Sequence, residues 1–247
     1  MIDTHAHLDA LADPGAAVER ARAAGVARIV TVGTGIDSCR AALAIAADDD
    51  QVYAALGIDP HQAASGEADR VEELRNLLAH PQAVAVGETG LDNFHRRAGT
   101  AEQRRLFDAH IALAADLDLP LVIHSRDAVR ETADALADFA GRVILHCFSE
   151  PELLPAALER GYYVSFAGNL TFPRADELRT AAAQVPGDRL LVETDSPYLA
   201  PQPVRGRPNE PANVVHTLAA LAAVRGEDAD ELGARIDANA TAAFGLR

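Results

Sequence analysis

Along the chain, short apolar or β-branched runs alternate with longer runs of alanine, leucine and charged residues at helical period. The short runs at 1–4, 28–32, 52–56, 83–87, 119–123, 142–146, 162–166 and 189–194 are expected strands, eight in all. Apolar residues recurring every three to four positions predict helices near 14–24, 38–49, 68–79, 101–117, 127–139, 151–160 and 174–184. Two more, 211–225 and 228–243, follow the eighth strand. Asp37-Ser38 are expected to cap the second helix, and Ser149, ahead of Pro151, the sixth. Leu121-Val122-Ile123 has no polar alternation, as expected of a parallel strand covered by helices on both faces.

An open doubly wound sheet and a closed barrel both fit this alternation. Two features favour closure: the strand count is eight, and polar signatures end nearly every strand instead of clustering at one crossover. The expected fold is therefore an α/β (β/α)8 barrel, with residues 1–247 as a single unit, since barrels of this kind run to roughly 250 residues.

Composition narrows the picture. Apolar residues make up 49% of the chain, enough for a core, but there is no Trp and only four Tyr and seven Phe. Abundant alanine favours helices. Cys39 and Cys147 lie far apart and form no framework, no apolar run approaches a membrane span, and MIDTHAHLD opens without a basic or apolar leader. These points lead us to expect a reducing, cytoplasmic setting with no membrane contact and no obligate protein partner. The formal net charge of −15 opposes broad, non-specific wrapping of nucleic acid.

The candidate chemistry sits at the strand ends. His5-Ala6-His7 closes the first strand; residues two apart point the same way, about 7 Å apart along an extended chain, so both imidazoles can converge on one ion. Glu88 follows Val84-Ala85-Val86-Gly87, His124 follows Leu121-Val122-Ile123, His146 follows Val143-Ile144-Leu145, and Asp195 ends the eighth run. In a barrel those ends share one face, and buried imidazoles or carboxylates there are costly unless paired or metal-bound. A hydrogen-bonded structural network is the plainer reading; four histidines and two carboxylates at five strand ends favour metal. Six ligands exceed the needs of one ion. The expected arrangement is two divalent ions, one on His5, His7 and Asp195, the other on His124 and His146, with Glu88 bridging. Glu88 and Asp195 are the expected catalytic groups, Asp195 as ligand or base to a hydroxide bridging the metals.

Around these ligands, Glu193 and Asp3 either orient imidazoles or make salt bridges, and Asp92, Asp59 and His61 either hydrogen-bond around the pocket or cap turns. His95, beside Arg96-Arg97, either contacts substrate or is solvated. Arg126, Arg205 and Arg207 are candidate phosphate binders, with surface carboxylates as the competing partners. His80, His110 and His216 are read as structural or exposed, and Tyr162, Tyr163 and Phe166 as barrel-wall packing. No GxxxxGK, GxGxxG or GxSxG motif is present. Cys147 is set aside as a nucleophile, because a metal-bound His146 could not also serve as its base.

With these residues in view, the chain resembles the TatD family of metal-dependent deoxyribonucleases, within the amidohydrolase-like barrels. The resemblance rests on DTHAHLD at 3–9, GETGLD at 87–92, PLVIHSRDA at 120–128, HCFS at 146–149, GNLTF at 168–172, ETDSPYL at 193–199 and RGRPNEP at 205–211. It implies a cytoplasmic two-metal phosphodiesterase acting on DNA, often from the 3′ end, with ligands at the same six positions. The chain departs from the family pattern at Asp59, where GxHP has histidine, at Asn93 in GLDY/F, and at Glu150, where glycine usually follows HCFS.

The expected function is thus divalent-metal-dependent phosphodiester hydrolysis, a DNA 3′-5′ exonuclease engaging strand ends or short oligonucleotides. The ions are Mg2+, Mn2+ or Zn2+, a choice the residues leave open. Amide or ester hydrolysis by the same hydroxide is the nearest alternative, and a metal-stabilised binding protein without turnover a more distant one.

Overall fold

The computed structural model describes residues 1–246. Eight strands, β1 (Ile2–Ala6), β2 (Arg28–Gly33), β3 (Val52–Leu56), β4 (Ala83–Asp92), β5 (Leu121–Arg126), β6 (Val143–Leu145), β7 (Tyr163–Phe166) and β8 (Leu190–Val192), pair in sequence order, each parallel to the next. The helices are α1 (Pro14–Ala23), α2 (Ile36–Ala47), α3 (Val71–Leu78), α4 (Thr100–Leu117), α5 (Val129–Ala135), α6 (Leu154–Glu159), α7 (Asp176–Gln184), α8 (Val214–Arg225) and α9 (Ala229–Phe244). This is the (β/α)8 barrel expected from the alternation. Among the described residues no helix is long and apolar enough to cross a membrane.

The barrel closes between β8 and β1. Ala6 bridges Ser196 in parallel, Asp195 N–H donates to His5 O at 2.9 Å, and His7 N–H donates to Ser196 O at 2.8 Å. Asp3, fully buried, accepts from the Thr194 backbone N–H at 2.9 Å and its hydroxyl at 2.6 Å. Asp3 therefore fastens the seam and reaches no imidazole. Burial pushes its carboxyl up to about 8, although the Thr194 and His5 donors pull the other way.

Strand residues such as Ile2, Val30, Leu56, Leu121 and Ile123 are buried under the helices. Each such side chain contributes roughly 1.5–3 kcal/mol by leaving water. Ala42 and Ala46 on α2 and Ala54 and Ala55 on β3, the latter two on opposite faces of the sheet, are also fully buried, and such small side chains let helix and sheet approach closely.

Several boundaries differ from the pattern, for identifiable reasons. β4 continues through Gly87 and Gly90 to Asp92, beyond the expected stop at 87, because those glycines lie flat against β5. A Cβ on Gly90, at φ +140°, would sit 2.0 Å from His124 O. α6 starts at Leu154 rather than 151: Pro155 has no N–H to return to Pro151, so the first turn is 3-10. The expected caps also move. Gly35 precedes α2, whose Ile36 N–H is taken by Glu67, while Ser38 donates to Asp9. Glu150, rather than Ser149, precedes the Pro151 turn. Its carboxylate accepts from Ser125 and from the Ala128 N–H at the start of α5, so this acid is spent locally.

Candidate metal centre

Strand register carries the candidate ligands to one rim. Between Asp3 and Ala6, β1 advances one residue more than β2, and between Val86 and Thr89, β4 does the same against β5. Such bulges re-aim side chains. His5 lies within the first and Glu88 within the second. His146 stands immediately after β6, where Cys147 has φ +44°, and Asp195 stands beyond β8 with φ +54°. Neither is glycine, so both positions hold a sparsely populated backbone conformation at the rim.

Four histidines converge on Glu88, and Asp195 joins them through His5 and His7. Its Oε2 lies 3.4 Å from His5 Nε2 and 3.7 Å from His7 Nε2, while its Oε1 lies 2.9 Å from His124 Nδ1 and 3.1 Å from His146 Nε2. Asp195 Oδ1 is 3.3 Å from His7 Nε2 and 3.8 Å from His5 Nε2. The His5 and His7 Nε2 atoms are 3.3 Å apart, and His5 stacks on His146 with ring centroids at 4.0 Å. Ligand atoms about 2.0–2.1 Å from a tetrahedral ion are separated by about 3.3 Å. The separations therefore suit small divalent ions, and lone pairs facing one another across such gaps need a cation or protons between them. His5 Nδ1 is buried with no hydrogen-bond partner.

Charges on the protein alone show the same demand. Burial would raise the Glu88 carboxyl, but His146, His124 and His5 hold it well below the usual carboxylate range. Burial would likewise lower His124 and His7, yet Asp92 and Glu88 push the first up to about 9, and Asp195 and Glu88 do so for the second. His146 is raised well above its ordinary value by Glu88 and Glu193 against the same burial, whereas His5 is lowered by burial and by His146. Asp195 is lowered by His7 despite its burial. Protons and cations compete for these nitrogens, so ion uptake releases protons.

Outer carboxylates fix the rings. Glu193 Oε1 accepts from His146 Nδ1 at 3.2 Å and from the Cys147 N–H at 2.8 Å. Asp92 Oδ2 lies 3.1 Å from His124 Nε2, 3.0 Å from His61 Nε2 and 2.7 Å from His95 Nδ1. For His146 and His124 the ring nitrogen facing Glu88 is thereby left free to bind an ion.

The centre opens into a cavity of about 460 Å³ whose wall includes Glu88, His124, Arg126, Arg97, His95 and Tyr198. Arg205 and Arg207 are not on that wall; the Arg205 guanidinium lies over Phe172, 4.1 Å from the ring centre. Arg126 packs over Phe94 at 4.2 Å. Sequence reading passed over Phe94 and Tyr198, exposed by 55% and 58% and both beside the cavity. Tyr198 sits 5.7 Å from the His7 ring, and its place three residues after Asp195 was the available signal. Tyr162, Tyr163 and Phe166 are buried, as expected of wall packing.

A profile described as TatD related DNase matches residues 2–245. The uncharacterized metal-dependent hydrolase TatD of Mycobacterium tuberculosis is 43% identical over 260 residues, covering 100% of this chain and 98% of that protein. The protein named 3′-5′ ssDNA/RNA exonuclease TatD in Erwinia tasmaniensis is 37% identical over 241 residues, covering 93% and 92%. Among solved structures, the Escherichia coli TatD homologue YjjV superposes with a TM-score of 0.90 at 31% identity, covering 100% and 98%. With its barrel, its clustered imidazoles and carboxylates and this likeness along its length, the chain belongs to the TatD family of metal-dependent hydrolases.

Proposed function

We propose that the protein is a two-metal phosphodiesterase that removes nucleotides from the 3′ end of single-stranded DNA. The observation that carries this reading is the division of Glu88, one carboxylate oxygen toward the His5/His7 pair and the other toward His124/His146. His5, His7 and Asp195 would hold one ion, His124 and His146 the other, and Glu88 both. Two such ions supply an activated water and neutralise charge on a phosphoryl oxygen. Zn2+ and Mn2+ suit the imidazole-rich donor set, and Mg2+ its carboxylates.

The chain's own groups do the rest. Glu193 and Asp92 fix the tautomers of His146 and His124, so that each presents a lone pair to the centre. The Asp195 carboxylate, held ionised beside His7, orients water and accepts its proton. Arg126 on the cavity wall pairs with the scissile phosphate, with His95 and Arg97 beside it. Arg205 and Arg207, beyond the wall, serve phosphates further along the strand. Tyr198, exposed on the cavity wall, offers a face on which a terminal base stacks, while Phe94 supports the Arg126 guanidinium. A net charge of −15 for the whole chain limits engagement to a strand end. The Erwinia relative named as an exonuclease supports the direction of digestion.

The test supplies Mg2+, Mn2+ or Zn2+ to chelator-treated protein with 3′- and 5′-labelled single-stranded DNA, dinucleotides, and a panel of esters and amides. Stepwise loss from the 3′ end, abolished by Glu88→Ala, is expected. Cleavage of esters or amides with every phosphodiester untouched would replace the reading, and no turnover with any metal would reject it.

A further inference from the structure

A second imidazole–carboxylate cluster lies beside the main centre. His61, on the loop after β3, and His95, on the loop after β4, both point at Asp92, whose side chain is fully buried at the end of β4. One ring nitrogen from each of His61 and His95 and an Asp92 carboxylate oxygen all lie within 4.8 Å of one another. His61, His95 and Asp59 line the same cavity as Glu88 and His124.

Hydrogen bonding alone satisfies this cluster poorly. Asp92 Oδ2 faces three imidazole nitrogens, at 2.7, 3.0 and 3.1 Å, whereas a carboxylate oxygen has about two lone pairs. The other oxygen, Oδ1, is taken by the His95 backbone N–H at 2.7 Å. One of the three N–H groups would therefore lack a place. If His61 Nε2 and His95 Nδ1 present lone pairs instead, the conflict disappears: His124 keeps Asp92 as its acceptor, and a cation takes the space among the other three atoms. His61 then carries its proton on Nδ1, which faces Asp59 Oδ2 at 3.5 Å. That repeats the carboxylate–histidine pairing of Glu193 with His146 and of Asp92 with His124, in which the ring's other nitrogen is left for an ion. Asp59 Oδ1 is buried without a partner, so this carboxylate has no other engagement on that side.

We infer that His61, His95 and Asp92 form a third divalent-cation site, with Asp59 orienting His61. Two imidazoles and one carboxylate form a zinc-type donor set with room for water or a substrate oxygen in the remaining position. Because His124 joins Asp92 to Glu88, the third ion sits one imidazole away from the main centre, on the cavity wall that also carries Arg97. There it adds positive charge for a phosphate other than the scissile one, on a wall where Asp59 would otherwise add only negative charge.

The experiment counts ions and does not depend on which bond the enzyme breaks. Protein dialysed to equilibrium against Zn2+ is measured by elemental analysis, alongside His95→Ala, His61→Ala and, as a control for surface binding, His80→Ala/His216→Ala. Three ions per chain are expected for the parent and the control, and two for each of the other variants. Crystals grown with Zn2+ should give an anomalous peak between His61 and His95. The His95 side chain is 38% exposed on a loop, so His95→Ala should melt as the parent does. Two ions in the parent protein, or an unchanged count in both His61→Ala and His95→Ala, would overturn the inference. Loss of nuclease activity would leave it standing, and a wrong ion count would leave the exonuclease reading standing.

Discussion

His110 couples pH to the loop that carries Asp59 and His61. It is fully buried on α4; its Nδ1–H donates to Leu106 O at 2.8 Å, and its Nε2 accepts the Ile58 N–H at 3.1 Å. That pairing requires the neutral ring, and burial lowers its pKa from 6.5 to about 4. In the unfolded chain the same ring takes a proton near 6.5. Between these values the unfolded state binds more protons, so stability falls as pH falls, and above about 7 this group has no effect on the slope. Integrating between the two values gives a loss of about 2 kcal/mol at pH 5 and about 3 kcal/mol at pH 4. His110→Leu removes the titration but leaves the Ile58 N–H without an acceptor, at a cost of about 1–3 kcal/mol at every pH. Urea denaturation of both proteins with the same metal, from pH 7.5 to 4.5, should show the variant less stable at high pH and the gap closing as pH falls. Contributions from the other histidines cancel in that difference. A gap that stays constant across the range would refute a neutral, acceptor role for His110.

Other outcomes follow from the geometry of the rim. Arg126→Ala should lower turnover of phosphodiesters about 10- to 100-fold, measured by initial rates, with melting temperature unchanged, because the side chain is exposed and its guanidinium rests only on Phe94. Glu193→Ala strips His146 and the Cys147 N–H of their shared acceptor and should weaken metal affinity about 10- to 100-fold in competition with a chelator. Gly90→Ala forces a Cβ into His124 O at a positive φ; a loss of at least about 2 kcal/mol, read as a melting temperature lower by about 5 °C or more, is expected.

The barrel was legible because its signals are local and repeated. Among the described residues, each of the eight strands and nine helices overlaps the run that predicts it, with ends displaced by a few residues, and Leu121-Val122-Ile123 read as a covered strand from its lack of alternation. The six converging side chains were legible for a related reason: a polar residue at the end of an apolar strand has one rim to go to. What the pattern could not show was contact between residues that are near only in space. The seam role of Asp3 depends on Thr194, and the capture of Glu150 depends on Ser125 and Ala128. The apolar run that predicts β4 ends at 87, whereas Gly87 and Gly90 let the strand run on against β5 to Asp92. Arg205 and Arg207 were placed by loop length alone, which does not fix where a long loop folds back. The Asp92 hub gathers histidines from three loops and strands, and no spacing in the sequence announces it.

The seam between β1 and β8 also constrains when this protein can act. His5 is synthesised nearly two hundred positions before Thr194 to Ser196, the residues that hold it in place. A growing chain therefore carries a histidine pair with no rim to complete until its last strand has been made. Assembly of the rim is thus tied to completion of β8, and a fragment broken before Ser196 should lack the contacts that seat His5 and His7.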